Sequence, residues 1–306
     1  MINGTMGRVR AVIAAAGWVT AAVALVPCGA AAAAGAAAPG PASAAGAVPR
    51  FDHVVIVVME NKNYNAIIGR PDEAPYLNSL AAGGAVFTSS FAVTHPSQPN
   101  YLALFSGSTQ GVTSDNCPQN FKNVPNLGAE LIGSGLKFAG YSESMPSAGY
   151  RGCGTYLSLG YVRAHNPWVD FGNVPAASNL TFASFPGDYS KLPTVSFVIP
   201  NLCHDMHYCS RDTGDRWIKN NLGGYAKWAS SHNSLLVVTW DEDGTILGLG
   251  GDNNKVPTIF YGAHVRTGTY SERTGHYGIL RTLEDMYGLA HAGASAKATP
   301  ITDVWK

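Results

Sequence analysis

The chain is organised around residues 91–107, which read FAVTHPSQPNYLALFSG. A short apolar run leads into a polar turn, and the turn leads into an apolar segment with helical spacing. Pro99 suits the first turn of a helix, where its missing N–H costs nothing, so we expect Ser97 or Gln98 to be the N-cap. Ser97 then faces free N–H groups at the positive end of a helix dipole. This predicts either a plain capping serine or a nucleophile that attacks a bound anion.

Buried strands alternate with helices along the rest of the chain. Continuous apolar and β-branched runs predict strands at residues 51–59, 136–141, 194–201, 234–240 and 256–261. Helical patterns fall at residues 75–84, 127–133, 215–230 and 276–287. This alternation indicates an α/β fold with a mostly parallel central sheet flanked by helices. Residues 142–192 are rich in Gly, Pro, Asn and aromatics, and we interpret them as long loops over one end of the sheet.

Composition and charge narrow the class of protein. The chain has 306 residues, no formal net charge and 46% hydrophobic residues, which suits one large domain with a sizeable core. The sequence contains no run of Lys or Arg, so its charge gives no indication of a nucleic-acid partner. We expect residues 1–30 to be a secretory signal peptide, 31–50 a flexible arm of Ala, Gly and Pro, and 51–306 the folded domain. No segment reaches membrane length, so we expect secretion without an integral membrane span.

The cysteines agree with export. Cys28 lies at the end of the signal sequence, where its neighbour Pro27 disfavours lipid attachment. An even number of cysteines remains after it, namely Cys117, Cys153, Cys203 and Cys209. In an exported protein they predict two disulfides, and a zinc site is the alternative, although no Cys-x-x-Cys spacing supports it. Three pairings are possible. We favour Cys203–Cys209, which closes a short loop, and Cys117–Cys153, which joins two loop-rich stretches.

Polar residues collect at the carboxyl ends of three predicted strands, at residues 60–61, 201–207 and 241–242. Ligands bind at this edge of a parallel sheet, so we expect these groups to meet beside Ser97. Carboxylate and amide oxygens suit Mg²⁺ or Ca²⁺, and mixtures with His also accept Zn²⁺. We predict a divalent cation with the ligands Glu60, Asn61, Asp241 and Glu242, and with Asp205 and His276 as further ligands. The plain alternative for each acidic pair is a turn after a strand.

A cation at this edge lowers the pKa of the Ser97 hydroxyl and neutralises a phosphate oxygen. Asn100, one helical turn after Ser97, can donate its amide to a phosphoryl oxygen. His207 is a candidate catalytic group, with metal binding and capping as its alternatives. We also predict that the substrate contacts Asn100, Arg163, His165 and His204.

Taken together, the motifs resemble the phosphoesterase family, which contains secreted acid phosphatases and bacterial phospholipases C within the alkaline phosphatase superfamily. The family patterns correspond to residues 60–61, 94–101, 200–207, 240–243 and 274–284, so the resemblance covers nearly all of residues 51–305. It implies a secreted acid phosphatase that hydrolyses phosphomonoesters, phosphatidylinositol 3-phosphate among them. It also implies a phospho-enzyme intermediate on Ser97, with a bound cation and Asn100 on the phosphoryl oxygens.

Two departures and two alternatives accompany this resemblance. Two-zinc relatives place Asp-His where this chain has Asp241-Glu242, which favours a harder or a single metal ion. Cys203 and Cys209 bracket the Asp-Met-His stretch, so we expect a disulfide to reshape that loop. One alternative function is a phosphodiesterase of the phospholipase C type, which is usually longer at its C-terminus. The other is a secreted cation- or lipid-binding protein with an inactive site.

Overall fold

The computed structural model describes residues 48–245 and 253–306. The predicted signal peptide and most of the flexible arm lie outside these residues. The described strands are β1 (His53–Met59), β2 (Ala85–Phe87), β3 (Ser90–Phe91), β4 (Phe138–Ser142), β5 (Asn179–Thr181), β6 (Val195–Ile199), β7 (Ser234–Trp240), β8 (Thr258–Gly262), β9 (Gly268–Tyr270) and β10 (Thr274–Gly275). The α-helices are α1 (Tyr64–Ile67), α2 (Pro75–Gly83), α3 (Ser97–Ser106), α4 (Leu127–Gly133), α5 (Arg211–Ala229) and α6 (His276–Tyr287).

Eight strands form one sheet in the order β5-β4-β6-β1-β7-β8-β2-β9. Neighbours in this sheet pair in parallel except around β8, which runs antiparallel to β7 and to β2. The two short strands β3 and β10 form a separate parallel pair. This topology confirms the predicted α/β fold with a mostly parallel central sheet.

The sheet separates two apolar layers, and β1 shows why. Successive side chains of a strand point to opposite faces, so a strand that is apolar at every position needs cover on both sides. Val54, Ile56 and Val58 face a layer formed with α3, α4 and α6. Val55 and Val57 face the other layer, formed with α2 and α5. With both faces covered, the carboxyl edge of the sheet is left for the polar groups.

Most predicted elements are present, with shifted ends. β7 and α6 have the predicted bounds, whereas α5 begins at Arg211, before the predicted residue 215. Its N-cap is Ser210, whose side chain accepts a hydrogen bond from the N–H of Thr213. The interpretation of residues 142–192 as loops is wrong in part, because they contain several 3₁₀ helices and the edge strand β5.

Both predicted disulfides are present. Cys117–Cys153 joins the loop after α3 to the segment after β4, and Cys203–Cys209 closes a loop with a sequence separation of 6 after β6. Within residues 48–245 and 253–306, no helix combines the length and the apolar character that crossing a membrane requires.

Candidate active site

Three neighbouring parallel strands bring acidic side chains to one edge of the sheet. Glu60 follows β1, Asp205 lies in the turn after β6, and Asp241 and Glu242 follow β7. We call these four residues the acidic cluster, and each is at most 6% exposed. The N–H of Glu60 donates to the Asp205 carbonyl at 2.8 Å, and the N–H of Asn61 donates to Asp241 Oδ1 at 3.0 Å. Hydrogen bonds donated by main-chain N–H groups therefore hold the three strand ends together.

Helix α3 brings Ser97 to this cluster. Its hydroxyl oxygen lies 3.1 Å from Glu60 Oε2 and 3.5 Å from Glu242 Oε1, and the residue is 3% exposed. The predicted N-cap is wrong by one residue, because Pro96 occupies that position and Ser97 is the first helical residue. Because Ser97 lies between carboxylates that follow two different strands, its position indicates a role beyond helix capping.

The start of α3 offers fewer N–H groups than the sequence suggests. Pro99 has no N–H, and the N–H of Gln98 is accepted by Asp115 Oδ1 at 2.8 Å. Anion binding at this site therefore depends more on the side chains and on any bound cation than on the helix terminus.

Glu60 is the central residue of the cluster. Tyr101 donates its hydroxyl to Oε1 at 2.6 Å, His165 Nε2 lies 3.2 Å from Oε1, and His207 Nδ1 lies 3.2 Å from Oε2. Burial raises the pKa of Glu60, but His165, His207 and the Tyr101 hydrogen bond lower it, with a net fall to about 2. Glu60 is therefore a carboxylate at any physiological pH.

His165 is buried among the carboxylates. Its ring stacks on that of Tyr101 with centroids 5.0 Å apart, and Nδ1 lies 3.6 Å from Asp205 Oδ2. Burial lowers the pKa of His165, but Glu60 and Asp205 together raise it by more, so the net shift is upward. Glu60, His165 and Asp205 each offer a ligand atom, and these atoms lie within 4.8 Å of one another. In place of the predicted phosphate contact, His165 is therefore positioned to balance charge or to bind a metal ion.

His207 lies at the mouth of the site. Its side chain is 21% exposed, Nδ1 lies 3.2 Å from Asn61 Nδ2 as well as from Glu60, and the ring of Tyr208 packs at 4.3 Å. It is therefore accessible to a substrate while it remains in contact with Glu60.

Like charge crowds Asp241 and Glu242. Burial raises the pKa of Asp241 well above its ordinary range, and Glu60 and Glu242 raise it further. Burial, followed by Glu60, raises the pKa of Glu242 to about 9. Among the described residues, Asp241 Oδ2 and Asp205 Oδ2 are buried without a hydrogen-bond partner. Buried carboxylate oxygens without donors are costly, and hard oxygen ligands suit a divalent cation, so the cluster fits the predicted metal.

Two histidines support the segment after β7. His276 Nε2 donates to the Asp241 carbonyl at 2.6 Å, and burial lowers its pKa to about 4, so the ring is neutral. His95 Nδ1 lies 2.9 Å from Glu242 Oε2. These contacts position the acidic cluster, and the metal-ligand role of His276 stays a prediction.

Asn100 has a structural role in the turn before Ser97, and its predicted phosphoryl contact stays a prediction. Its Oδ1 accepts hydrogen bonds from the N–H groups of Val93 and Thr94, both at 3.0 Å. Its amide donates to the carbonyls of Thr94 at 2.8 Å and Pro96 at 3.1 Å. These bonds fold the turn that places Ser97, and the same amide lies 3.4 Å from Glu242 Oε2, so it also faces the acidic cluster.

Arg163 is committed in the same way. It is 3% exposed, its Nε donates to Asp170 Oδ1 at 2.9 Å, and its other nitrogens donate to the carbonyls of Arg151, Gln119 and Val169. Because these donors are used within the protein, Arg163 has a structural role in place of the predicted phosphate contact.

His204 is also turned to other partners. Its Nδ1 lies 2.9 Å from the Glu143 carboxylate, and its ring stacks on Trp217 with centroids 6.1 Å apart. The predicted substrate contact of His204 therefore has no geometric support.

Sequence reasoning missed two members of the site. Tyr101 lies four residues after Ser97, and this spacing places both on one helix face, so the periodicity contained the signal. Lys62 directly follows Glu60-Asn61, and its ammonium donates to the carbonyls of Asn61 at 3.0 Å and Met206 at 2.7 Å. Both of those residues have left-handed backbone, with φ of 52° and 79°, and only the folded structure shows that Lys62 joins them.

The fold and the site define the class of protein. A buried serine among carboxylates, at the carboxyl edge of a mostly parallel sheet, is suited to attack on an anionic ester. The fold is similar to that of a protein in the alkaline phosphatase superfamily. A superfamily protein from Vibrio parahaemolyticus matches with a TM-score of 0.57 at 12% identity, over 82% of this chain and 71% of that one. The lipoteichoic acid synthase LtaP of Listeria monocytogenes also gives a TM-score of 0.57, at 10% identity, over 86% of this chain and 78% of that one.

The sequence comparisons show the family. The model of the phosphoesterase family matches residues 70–290, and the chain belongs to this family. It is 52% identical to the phosphatidylinositol-3-phosphatase of Mycobacterium tuberculosis, over 86% of this chain and 85% of that protein. It is 32% identical to a probable acid phosphatase of Kluyveromyces lactis, over 83% of this chain and 65% of that protein. The chain is therefore a hydrolase of phosphoric ester bonds.

Proposed function

We propose that this protein is a secreted acid phosphatase that hydrolyses phosphomonoesters with Ser97 as its nucleophile. The observation that carries the proposal is the position of the Ser97 hydroxyl, 3.1 Å from Glu60 Oε2 and 3.5 Å from Glu242 Oε1. The two carboxylates follow different strands. Both lie beside a hydroxyl that takes no part in capping the helix.

The residues of the site have distinct roles in this proposal. A divalent cation held by Glu60, Asn61, Asp241 and Glu242 would lower the pKa of the Ser97 hydroxyl and neutralise phosphoryl charge. Glu60 orients the hydroxyl, and Tyr101 and His165 hold Glu60 in place. Asp205 anchors His165.

The reaction then has two steps. Ser97 Oγ gives up its proton, which passes by way of Glu60 Oε2 to His207, and forms a bond to phosphorus, while the bond from phosphorus to the ester oxygen breaks. His207, which is accessible at the mouth, gives the leaving oxygen its proton. Water next cleaves the phosphoserine and releases inorganic phosphate, which regenerates the hydroxyl.

The relatives support the substrate and the location. The mycobacterial relative is named for phosphatidylinositol 3-phosphate, and we extend that substrate to this chain because half of the aligned residues are identical. The two disulfides support export, since such bonds persist in oxidising compartments.

Trapping the intermediate tests the proposal. Wild-type protein is mixed with a ³²P-labelled phosphomonoester, quenched in acid and separated from free phosphate. We expect label on the wild-type chain and none on Ser97→Ala. Label that persists on Ser97→Ala, or a wild type that turns substrate over without label, would refute the covalent step.

Two chromogenic esters separate the alternative functions. Hydrolysis of p-nitrophenyl phosphate well above that of bis(p-nitrophenyl) phosphate agrees with a phosphomonoesterase. The reverse preference identifies a phosphodiesterase of the phospholipase C type. Hydrolysis of neither ester, in protein supplied with divalent metal, identifies a binding protein with an inactive site.

A further inference from the structure

Apolar side chains are exposed around the mouth of the site. Leu157 is 95% exposed, Tyr208 is 53% exposed and Leu159 is 41% exposed. We call these three residues the apolar rim. Single exposed hydrophobic residues are common on protein surfaces, so their exposure alone means little. Their shared position beside the catalytic histidine is what requires an explanation.

Ring contacts locate the rim at the mouth. The ring of Tyr208 lies 4.3 Å from that of His207, and the ring of Tyr156 lies 6.1 Å from the rings of both His207 and His165. Leu157 directly follows Tyr156 in the chain, and Leu159 lies two residues further on. Two separate loops therefore meet at His207, one through Tyr208 and the other through Tyr156, the neighbour of Leu157.

The loop that carries the leucines is held in place at its base. Gly154 and Val162 form an antiparallel bridge, and Cys153 is bonded to Cys117. Tyr156 packs inward with its hydroxyl buried, whereas the next residue, Leu157, points into solvent. Because the base of this loop is fixed, Tyr156 is held inward and Leu157 is held outward. Leu157 is therefore available to contact another molecule or a surface.

The two loops that carry the rim expose a positive charge, whereas the neighbouring loop contributes the half-buried Asp115, whose Oδ1 accepts the Gln98 N–H at 2.8 Å. Between Glu143 and Asp188 the chain contains one carboxylate, Asp170, which is buried against Arg163. Arg151, in the same loop as the leucines, is exposed. In the second loop Asp205 is fully buried. The rim thus combines apolar tips with an exposed positive charge and no exposed carboxylate in either loop, which is complementary to an anionic lipid surface.

We propose that the apolar rim docks this enzyme on an anionic phospholipid surface, so that a lipid headgroup phosphate reaches the buried serine. This inference rests on the proposed phosphatase function and adds the physical form of the substrate. The cluster is buried, and a headgroup held in a bilayer can enter only if the mouth of the site touches the membrane. Leucine and tyrosine tips around that mouth make such contact favourable, because they leave water for the acyl boundary.

Vesicle sedimentation tests the docking apart from catalysis. The probes are vesicles of phosphatidylcholine with and without phosphatidylserine, an anionic lipid that carries no phosphomonoester. We expect the wild type to bind the anionic vesicles more tightly, with weaker binding at high salt. Leu157→Ser lowers the affinity about tenfold, and Leu157→Trp, the matched change to a membrane-interface residue, keeps or raises it. Arg151→Gln lowers the preference for anionic vesicles about fivefold.

Kinetics on two forms of one substrate give the second test. Leu157→Ser should hydrolyse p-nitrophenyl phosphate and water-soluble dibutanoyl phosphatidylinositol 3-phosphate at the wild-type rate. It should hydrolyse the long-chain lipid in vesicles about tenfold more slowly. An equal loss on the soluble and the vesicle substrate overturns the proposal, since the leucine then acts on the site itself.

The two proposals fail in different ways. A wild type that hydrolyses p-nitrophenyl phosphate but does not sediment with anionic vesicles overturns lipid docking and leaves the phosphatase function intact. Equal vesicle binding by Leu157→Ser and Leu157→Trp also overturns lipid docking and leaves the phosphatase function intact. The rim then serves another partner. A protein that sediments as expected but hydrolyses no phosphomonoester supports docking and refutes the proposed function.

Discussion

The acidic cluster and the pair formed by Arg163 and Asp170 are both buried and charged, yet they are built in opposite ways. In the pair, both Asp170 oxygens have donors, from Arg163 at 2.9 Å and from Gln98 at 3.3 Å. In the cluster, four acidic side chains meet, and two of their oxygens accept no hydrogen bond from the described residues. One region balances its charge internally and the other does not.

This difference separates structural from functional burial of charge. A buried charge with all its partners present stabilises one conformation and has nothing left to offer a ligand. A buried excess of one sign is costly in the protein alone, so it is retained where a bound ion or substrate completes it. Arg163 looked like a phosphate contact by residue type, and its completed hydrogen bonds give it the structural role.

Removal of the nucleophile should have the largest effect. Ser97→Ala deletes the attacking oxygen and leaves the acidic cluster in place, so we expect turnover to fall on the order of 10³-fold with the fold retained. Steady-state hydrolysis of p-nitrophenyl phosphate measures it. The matched control is Ser106→Ala, a buried serine at the other end of α3 that donates to the Leu102 carbonyl and should keep near-normal turnover. If Ser97→Ala keeps its turnover while Thr94→Ala does not, the nucleophile is Thr94.

The second prediction tests the balanced pair. Arg163→Met leaves Asp170 buried without its main partner. Burial already raises the pKa of Asp170 to about 7 with the guanidinium present. We expect the free energy of unfolding to fall by about 3 kcal/mol in denaturant titrations, with little change in KM. The double variant Arg163→Met/Asp170→Asn should recover part of the loss. A stable Arg163→Met protein with a raised KM for phosphomonoesters would restore the predicted substrate contact.

Several parts of this comparison could be predicted from sequence. A continuous apolar run followed by an acid, as in β1 with Glu60 and β7 with Asp241, predicts a buried strand with a functional end because the pattern is local. The roles of Asn100 and Arg163 depend on which carbonyls lie beside their donors, and that is set by tertiary packing. Strands such as β2, β5 and β9 have three residues each, too few to show a period.

The third prediction compares two buried carboxylates under one chemical change. Asp241→Asn removes a carboxyl group whose ionised form is disfavoured in the crowded cluster, so the protein in chelator should be as stable as the wild type or about 1 kcal/mol more stable. Asp215 is also buried but is paired, since it accepts the N–H groups of Tyr76 at 3.0 Å and Leu77 at 2.7 Å. Asp215→Asn should therefore lose about 1 kcal/mol.

Metal binding provides the second readout for Asp241→Asn. The variant should retain less divalent metal after dialysis and turn over more slowly, because it has lost a charged oxygen ligand. Equal destabilisation by Asp241→Asn and Asp215→Asn would show that the cluster is balanced in a way the described contacts do not reveal. Full activity of the wild type in a metal-free preparation would refute the cation site and leave Ser97 as the nucleophile.

The smallest expected effect belongs to Lys62, which faces the acidic cluster and forms no ion pair within the part of the chain that the structure describes. Its ammonium donates to two carbonyls, of Asn61 and Met206, and its charge interacts with those of Glu60, Asp205 and Asp241. Lys62→Met removes the link between the two turns, so we expect turnover to fall about threefold. It also makes the cluster more negative, so the apparent affinity for a divalent cation should rise by a similar factor. Lys62→Arg keeps the charge and the donors and should leave both quantities near wild type. Slower turnover with weaker metal binding in Lys62→Met would mean that the lysine only supports the fold, whereas the opposed changes identify a charge tuned against the cluster.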